Sequence, residues 1–149
     1  MLKQINCPKC GTVVKTFKNP VPTADIIIRL EGKLVLIERG EPPYGLAIPG
    51  GYVDYGESLE TAAKREAKEE TGLEVNNLRQ FRAYSDPHRD ARQHNISVVF
   101  HGDGIGTPKA GSDAKKIVLV SPEEIPDLTF CFDHKQILTE YLDTIHRDI

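Results

Sequence analysis

The chain has 149 residues, 39% apolar and 28% charged, which suits one globular domain with a core of its own. A formal charge of -3 and a pI near 5.9 give no electrostatic footprint for nucleic acid or an anionic membrane surface, and no apolar run approaches the ~20 residues of a membrane span. The opening "MLKQINCPKC" lacks the apolar core of a signal peptide, so the expected compartment is the cytoplasm, and three cysteines are too few for a disulfide framework.

The first informative island is "CPKCG". Cys7 and Cys10 have the spacing of half a zinc knuckle, and structural Zn²⁺ takes four ligands, yet no second CxxC follows. Three readings stand: a knuckle without metal, a Zn²⁺ shared between two chains of a homodimer, or a site completed by Cys131 or a distant histidine. A redox CxxC would open a helix, and "CGTVVKTF" does not have a helical pattern. Residues 1–18 are therefore set apart as a short extension, and 19–149 as the main domain.

"ADIIIRLEGKLVLIER" then predicts two strands turning at Glu31-Gly32. "GEPPYGLAIPGGYVDYGE" predicts a loop interrupted by the apolar run Leu46 to Ile48. Helix formers stopped by Gly72 predict a helix over residues 57–71. Strands are expected at 74–85, 92–102 and 115–120, and an amphipathic helix at 133–146 with Ile137, Leu138, Tyr141, Leu142 and Ile145 on one side. The order implies an α+β fold, a mixed sheet with helices on both faces.

The first helix carries an anomaly. At roughly 100° per residue, Leu59, Ala62, Ala63, Glu66, Glu69, Glu70 and Leu73 fall within about 60° of one line, which is the expected buried face. Glu60, Thr61, Lys64, Lys68 and Thr71 already make the other side polar. Glu66 and Glu70 are a like-charged i,i+4 pair, unfavourable on a helix and worse when desolvated. They are either solubilising charges or ligands to a divalent cation, and all-oxygen ligands suit Mg²⁺ or Mn²⁺.

From Gly51 the sequence reads Gly, five residues, Glu57, seven residues, then Arg65-Glu66, Ala67, Lys68, Glu69-Glu70, Thr71, Gly72, Leu73. This resembles the Nudix box of the Nudix hydrolases at every defining position. "YGLAIPGG" is similar to the family's lead-in, except that Ala47 stands where many members have Trp. The resemblance implies an α/β/α sandwich over 19–149 and divalent-metal-dependent hydrolysis of a nucleoside diphosphate linked to another moiety. It also implies that Glu66, Glu69, Glu70 and the carbonyl of Gly50 hold the metal, with Arg65 and Glu57 in support. Pairing of Arg65 with Glu57 would hold the loop against the helix. Independently of that, Glu57 suits the positive end of a helix.

"YSDPHRDARQHNISVVF", "GSDAKK" and "LTFCFDHKQIL" resemble segments of ADP-ribose pyrophosphatase-like members. That implies cleavage of ADP-ribose to AMP and ribose 5-phosphate. The alternatives are a dinucleotide such as NADH, a nucleoside triphosphate, or a module that senses ADP-ribose without turnover. Candidate substrate-binding residues are Arg39, Arg89, Arg92 and Asp113. A guanidinium can pair with phosphate or stack on adenine; equally, Arg89 and Asp90 can cap a loop, and Asp113 a turn. His134, in the first turn of the last helix, reads as a packing or capping histidine.

Overall fold

The computed structural model describes residues 2–111 and 114–147. Strands β1 (Leu2–Asn6) and β2 (Val13–Phe17) form an antiparallel hairpin that is a sheet of its own. The main sheet contains β3 (Val21–Leu30), β4 (Lys33–Arg39), β5 (Leu46–Ala47), β6 (Gly50–Tyr52), β7 (Glu74–Tyr84), β8 (Asn95–Ile105) and β9 (Ala114–Val120). Its order is β5-β4-β3-β8-β7, with β6 on β3 and β9 on β4. Only β3 and β8 run parallel, so the sheet is mixed.

Strand alternation deals side chains to two layers. Ala24, Ile26, Ile28 and Val35 meet Ala62, Ala63 and Ala67 of helix α1 (Leu59–Thr71). Ile27, Leu34 and Leu36 meet Ile137, Leu138 and Tyr141 of helix α2 (His134–Arg147) and Ile125 of a short 3₁₀ segment, Pro122–Asp127. A sheet buried on both faces needs apolar residues at successive positions, which is what "IIIRL" and "LVLI" supply. The alanines on α1 let the helix lie close to the sheet, bringing the carboxylates one turn away down to the β6 turn.

The expected elements are present with instructive differences. The β3–β4 turn falls at Glu31-Gly32, both at positive φ (51° and 79°), as a tight hairpin demands. Helix α1 starts later than expected: Ser58 is its N-cap, its side chain accepting the Thr61 N–H at 3.2 Å. Glu57 therefore lies outside the helix. Strand β8 begins at Asn95, because Asp90 holds the preceding residues in a loop by accepting the N–H of Arg92 at 3.0 Å and an Asn95 amide hydrogen at 2.7 Å. Strands β1, β2 and β6 arise where none was expected.

Candidate active site

Strand β6 hangs the glycine turn over α1. Its register places Thr23 opposite Tyr52, Ala24 opposite Gly51 and Asp25 opposite Gly50. The N–H of Gly50 donates to Glu70 Oε2 at 2.9 Å. A methyl group on Gly51 would collide with the Glu66 carboxylate, and one on Gly50 with Asp25, so the turn can approach the acids only because it has no side chains.

Arg65 organises the acids. Its Nη2 donates to Glu57 Oε1 at 2.6 Å and to the Tyr52 carbonyl at 3.0 Å, its Nε to Glu57 Oε2 at 3.2 Å, and its Nη1 to Glu66 Oε1 at 2.7 Å. Glu57 in turn accepts the Asp54 N–H at 2.8 Å. Helix, loop and β6 thus share one guanidinium. Glu69 stands apart: its side chain is 59% exposed and 3.4 Å from Arg65 Nη1. The buried arc of α1 is narrower on that side than expected, and Glu69 lies at its rim.

Burial raises the pKa of Glu70 to about 8, helped by the charges of Glu66 and Asp25 and opposed by the Gly50 N–H. Burial also raises Glu66, against the pull of Arg65. Asp25, on the α2 face of β3, is raised to about 6 by burial, although Ser97 Oγ–H donates to it and Arg89 lies 3.8 Å away. Beside it His134 is fully enclosed, and burial lowers its pKa to about 3. Its neutral Nδ1 accepts the N–H of Ile48 at 2.9 Å. This histidine is a packing residue whose contact positions the glycine turn.

A cleft of about 390 Å³ joins these groups to the arginines. Arg89 is buried, Nε and Nη2 gripping Asp133 at 2.9 and 2.6 Å. Arg92 pairs with Asp90 at 2.8 Å and places its guanidinium carbon 5.1 Å from the centre of the Phe132 ring. Arg39 lies 5.2 Å from the same ring and donates from Nε to the Pro43 carbonyl at 2.9 Å. Thr23 Oγ1 and Asn95 Oδ1 line the cleft, buried and without a partner among the described residues. Asp113 lies outside the described residues. Cys7 and Cys10 sit in the β1–β2 turn, and neither lines the cleft.

Sequence reasoning did not single out Asp25 or Phe132. Asp25 carries a usable signal, an acid inside an otherwise apolar strand. Phe132 carries none, because its place follows from a backbone φ of 56°.

Among known proteins, the chain is 40% identical over 131 residues to the ADP-ribose pyrophosphatase of Methanocaldococcus jannaschii, covering 86% of this chain and 76% of that protein. A MutT/nudix family protein from Enterococcus faecalis superposes with a TM-score of 0.79 at 25% identity, over 89% of this chain and 64% of that one. The NUDIX domain of Shewanella oneidensis NrtR, crystallised with ADP ribose, has the same fold, with a TM-score of 0.80 at 21% identity over 87% of this chain and 90% of that one. The profile of the NUDIX domain matches residues 19–141, the span that holds the glycine turn, the glutamate helix and both arginine loops, and on this ground the chain belongs to the NUDIX family.

Proposed function

We propose that the cleft hydrolyses the pyrophosphate of ADP-ribose to AMP and ribose 5-phosphate, with Mg²⁺ or Mn²⁺, in the cytoplasm. The observation that carries the reading is the meeting of opposite charges around one cleft: Glu66 and Glu70 of α1, and Arg39 and Arg92 about Phe132. A pyrophosphate ester offers anionic oxygens to both. The 40% identity to an ADP-ribose pyrophosphatase supports the choice of substrate.

The acidic side fits a divalent cation. Two carboxylates with raised pKa values face a glycine turn that leaves room before Glu66. Among the described residues no three His, Cys, Asp or Glu side chains form a ready cage. Mg²⁺ needs none, since it usually takes one or two carboxylates and completes its shell with water and substrate phosphate. Glu66, Glu70 and the Gly50 carbonyl would hold it, with Glu69 at the rim. When bound, such a cation neutralises phosphate oxygens and makes water a better nucleophile.

The remaining work falls to the chain. Arg65 aims Glu66 and ties Glu57 to the helix; His134 fixes the turn through Ile48; Arg39 and Arg92 offer planar guanidiniums to the phosphates. The unpartnered Thr23 Oγ1 and Asn95 Oδ1 suit the hydroxyl groups of a sugar.

The test is product analysis by chromatography and ³¹P NMR with ADP-ribose, NADH and nucleoside triphosphates, each with Mg²⁺ or Mn²⁺. AMP and ribose 5-phosphate from ADP-ribose at the highest kcat/KM is the expected result. Faster turnover of NADH or of a triphosphate would overturn the choice of substrate. Binding of ADP-ribose with no turnover of any substrate would make the chain a sensor.

A further inference from the structure

The N-terminal hairpin contributes nothing to the cleft, yet it is built with care. Cys7 N–H donates to the Thr12 carbonyl and Gly11 N–H to the Cys7 carbonyl, each at 2.9 Å, with Gly11 at φ 74°. This folds the loop so that the two side chains meet. Cys10 Sγ lies 3.3 Å from the Thr12 hydroxyl and within hydrogen-bond reach of the Thr12 backbone and the Cys7 side chain. Both cysteines are free.

We propose that the hairpin is half of a zinc site completed by a second copy of this chain, so that Cys7 and Cys10 of two molecules bind one Zn²⁺ and join a two-fold dimer. Structural zinc takes four ligands in a tetrahedron, and this turn offers two convergent sulfurs. The described residues do not complete the set: no group of three His, Cys, Asp or Glu among them could hold a metal. Cys131, the other thiol, is buried, its Sγ 3.3 Å from the Pro43 carbonyl. A two-fold axis supplies the missing pair from identical residues.

The surface around the turn agrees. Of the ten exposed large apolar side chains among the described residues, Leu2, Ile5, Val13, Val14 and Phe17 lie on this hairpin. Alternation puts Leu2, Val13 and Phe17 on one face; Ile5 and Val14, directly opposite one another, are on the other, the face it assigns to Cys7. An isolated two-stranded hairpin is at best marginal in water, and a second copy would cover this face. Two five-residue strands present a small face beside the ~800 Å² per partner of a standard interface. Association must therefore depend on the metal.

The experiment titrates Zn²⁺ into the metal-free, reduced, full-length protein and follows its mass by light scattering. Co²⁺ replaces zinc in parallel as a spectroscopic reporter. The expected result is a dimer saturating at one Zn²⁺ per two chains, with the intense absorption of tetrahedral cobalt bound to four thiolates. The Cys7→Ser, Cys10→Ser double variant should lose both while hydrolysing pyrophosphate at the wild-type rate. One zinc per monomer, no zinc bound, or a dimer that persists unchanged after zinc removal would each overturn the proposal. None of these outcomes bears on the choice of substrate.

Discussion

The backbone N–H of Ile48 donates to Nδ1 of His134 at 2.9 Å, tying the segment that leads into the glycine turn to the start of the last helix. Replacing His134 with Ala would leave that buried N–H unpaired, at a cost of about 1–3 kcal/mol. Urea unfolding should show this loss, and turnover should fall with it. His134 also sets an acid limit. Its folded pKa, about 3, lies below the ordinary 6.5, so its contribution to stability is complete above about pH 6.5 and is lost as pH falls toward 3. Relative to a His134→Asn variant, which does not titrate, the wild type should lose stability across that window. Parallel curves would mean that the imidazole is not held neutral.

Glu70 has the opposite sign. Its folded pKa is raised from 4.5 to about 8, so metal-free protein is favoured by the protonated acid below pH 4.5 and loses that advantage as pH rises to 8. Compared with Glu70→Gln, the metal-free wild type should become progressively less stable over this range. Mg²⁺ should restore the difference at pH 8 and have little effect at pH 5. The same variant should lower kcat by ~100-fold or more while keeping its fold. Near wild-type turnover at saturating Mg²⁺ would remove Glu70 from the proposed metal site.

Arg65 touches four partners at once, which Lys cannot do with a single ammonium. Arg65→Lys and Glu57→Gln should each cost ~10–100-fold in activity or metal affinity, as is typical for groups that orient metal ligands. The double variant should cost less than the product of the two, because both remove one shared contact. Strictly multiplicative effects would show that the pair acts as two separate groups.

Arg89 and Arg92 should separate in the laboratory. Arg89→Ala leaves the buried Asp25 and the half-buried Asp133 without their cation, and breaking a buried pair typically costs about 3–5 kcal/mol. Arg92 is 45% exposed, and its buried partner Asp90 keeps the Asn95 amide as a second donor, so Arg92→Ala should cost less stability than Arg89→Ala and raise KM for ADP-ribose. Chemical denaturation and Michaelis constants on the same preparations check both; the reverse pattern would exchange the two roles.

The reading of the sequence succeeded where local chemistry fixes the outcome. Glu66 and Glu70 were legible because alanines one turn away mark their face as buried, and Glu31-Gly32 because a two-residue turn needs positive φ. Strand β6 was not legible, since Gly50-Gly51-Tyr52 has little strand propensity and becomes a strand only by pairing with Thr23–Asp25 of β3. Asp25 stands out in the sequence as an acid in an apolar strand, but with both faces of β3 buried, alternation does not say which layer it joins. The roles of Arg89 and His134 depend on Asp133 and Ile48, partners that only the tertiary fold brings near.

Strand β3 has a consequence for synthesis. It emerges early with three consecutive isoleucines, but its parallel neighbour β8 comes late; Asp25 and Ser97, which meet across that pairing, are 72 positions apart. Such distant closure is a slow step in folding, and the unpaired strand is prone to stick to other chains meanwhile. A nascent chain released before residue 134 would carry every glutamate of α1 and still lack the imidazole that fixes Ile48. It would also lack Ile137, Leu138 and Tyr141, so one face of the sheet stays open until the last helix packs against Ile27, Leu34 and Leu36.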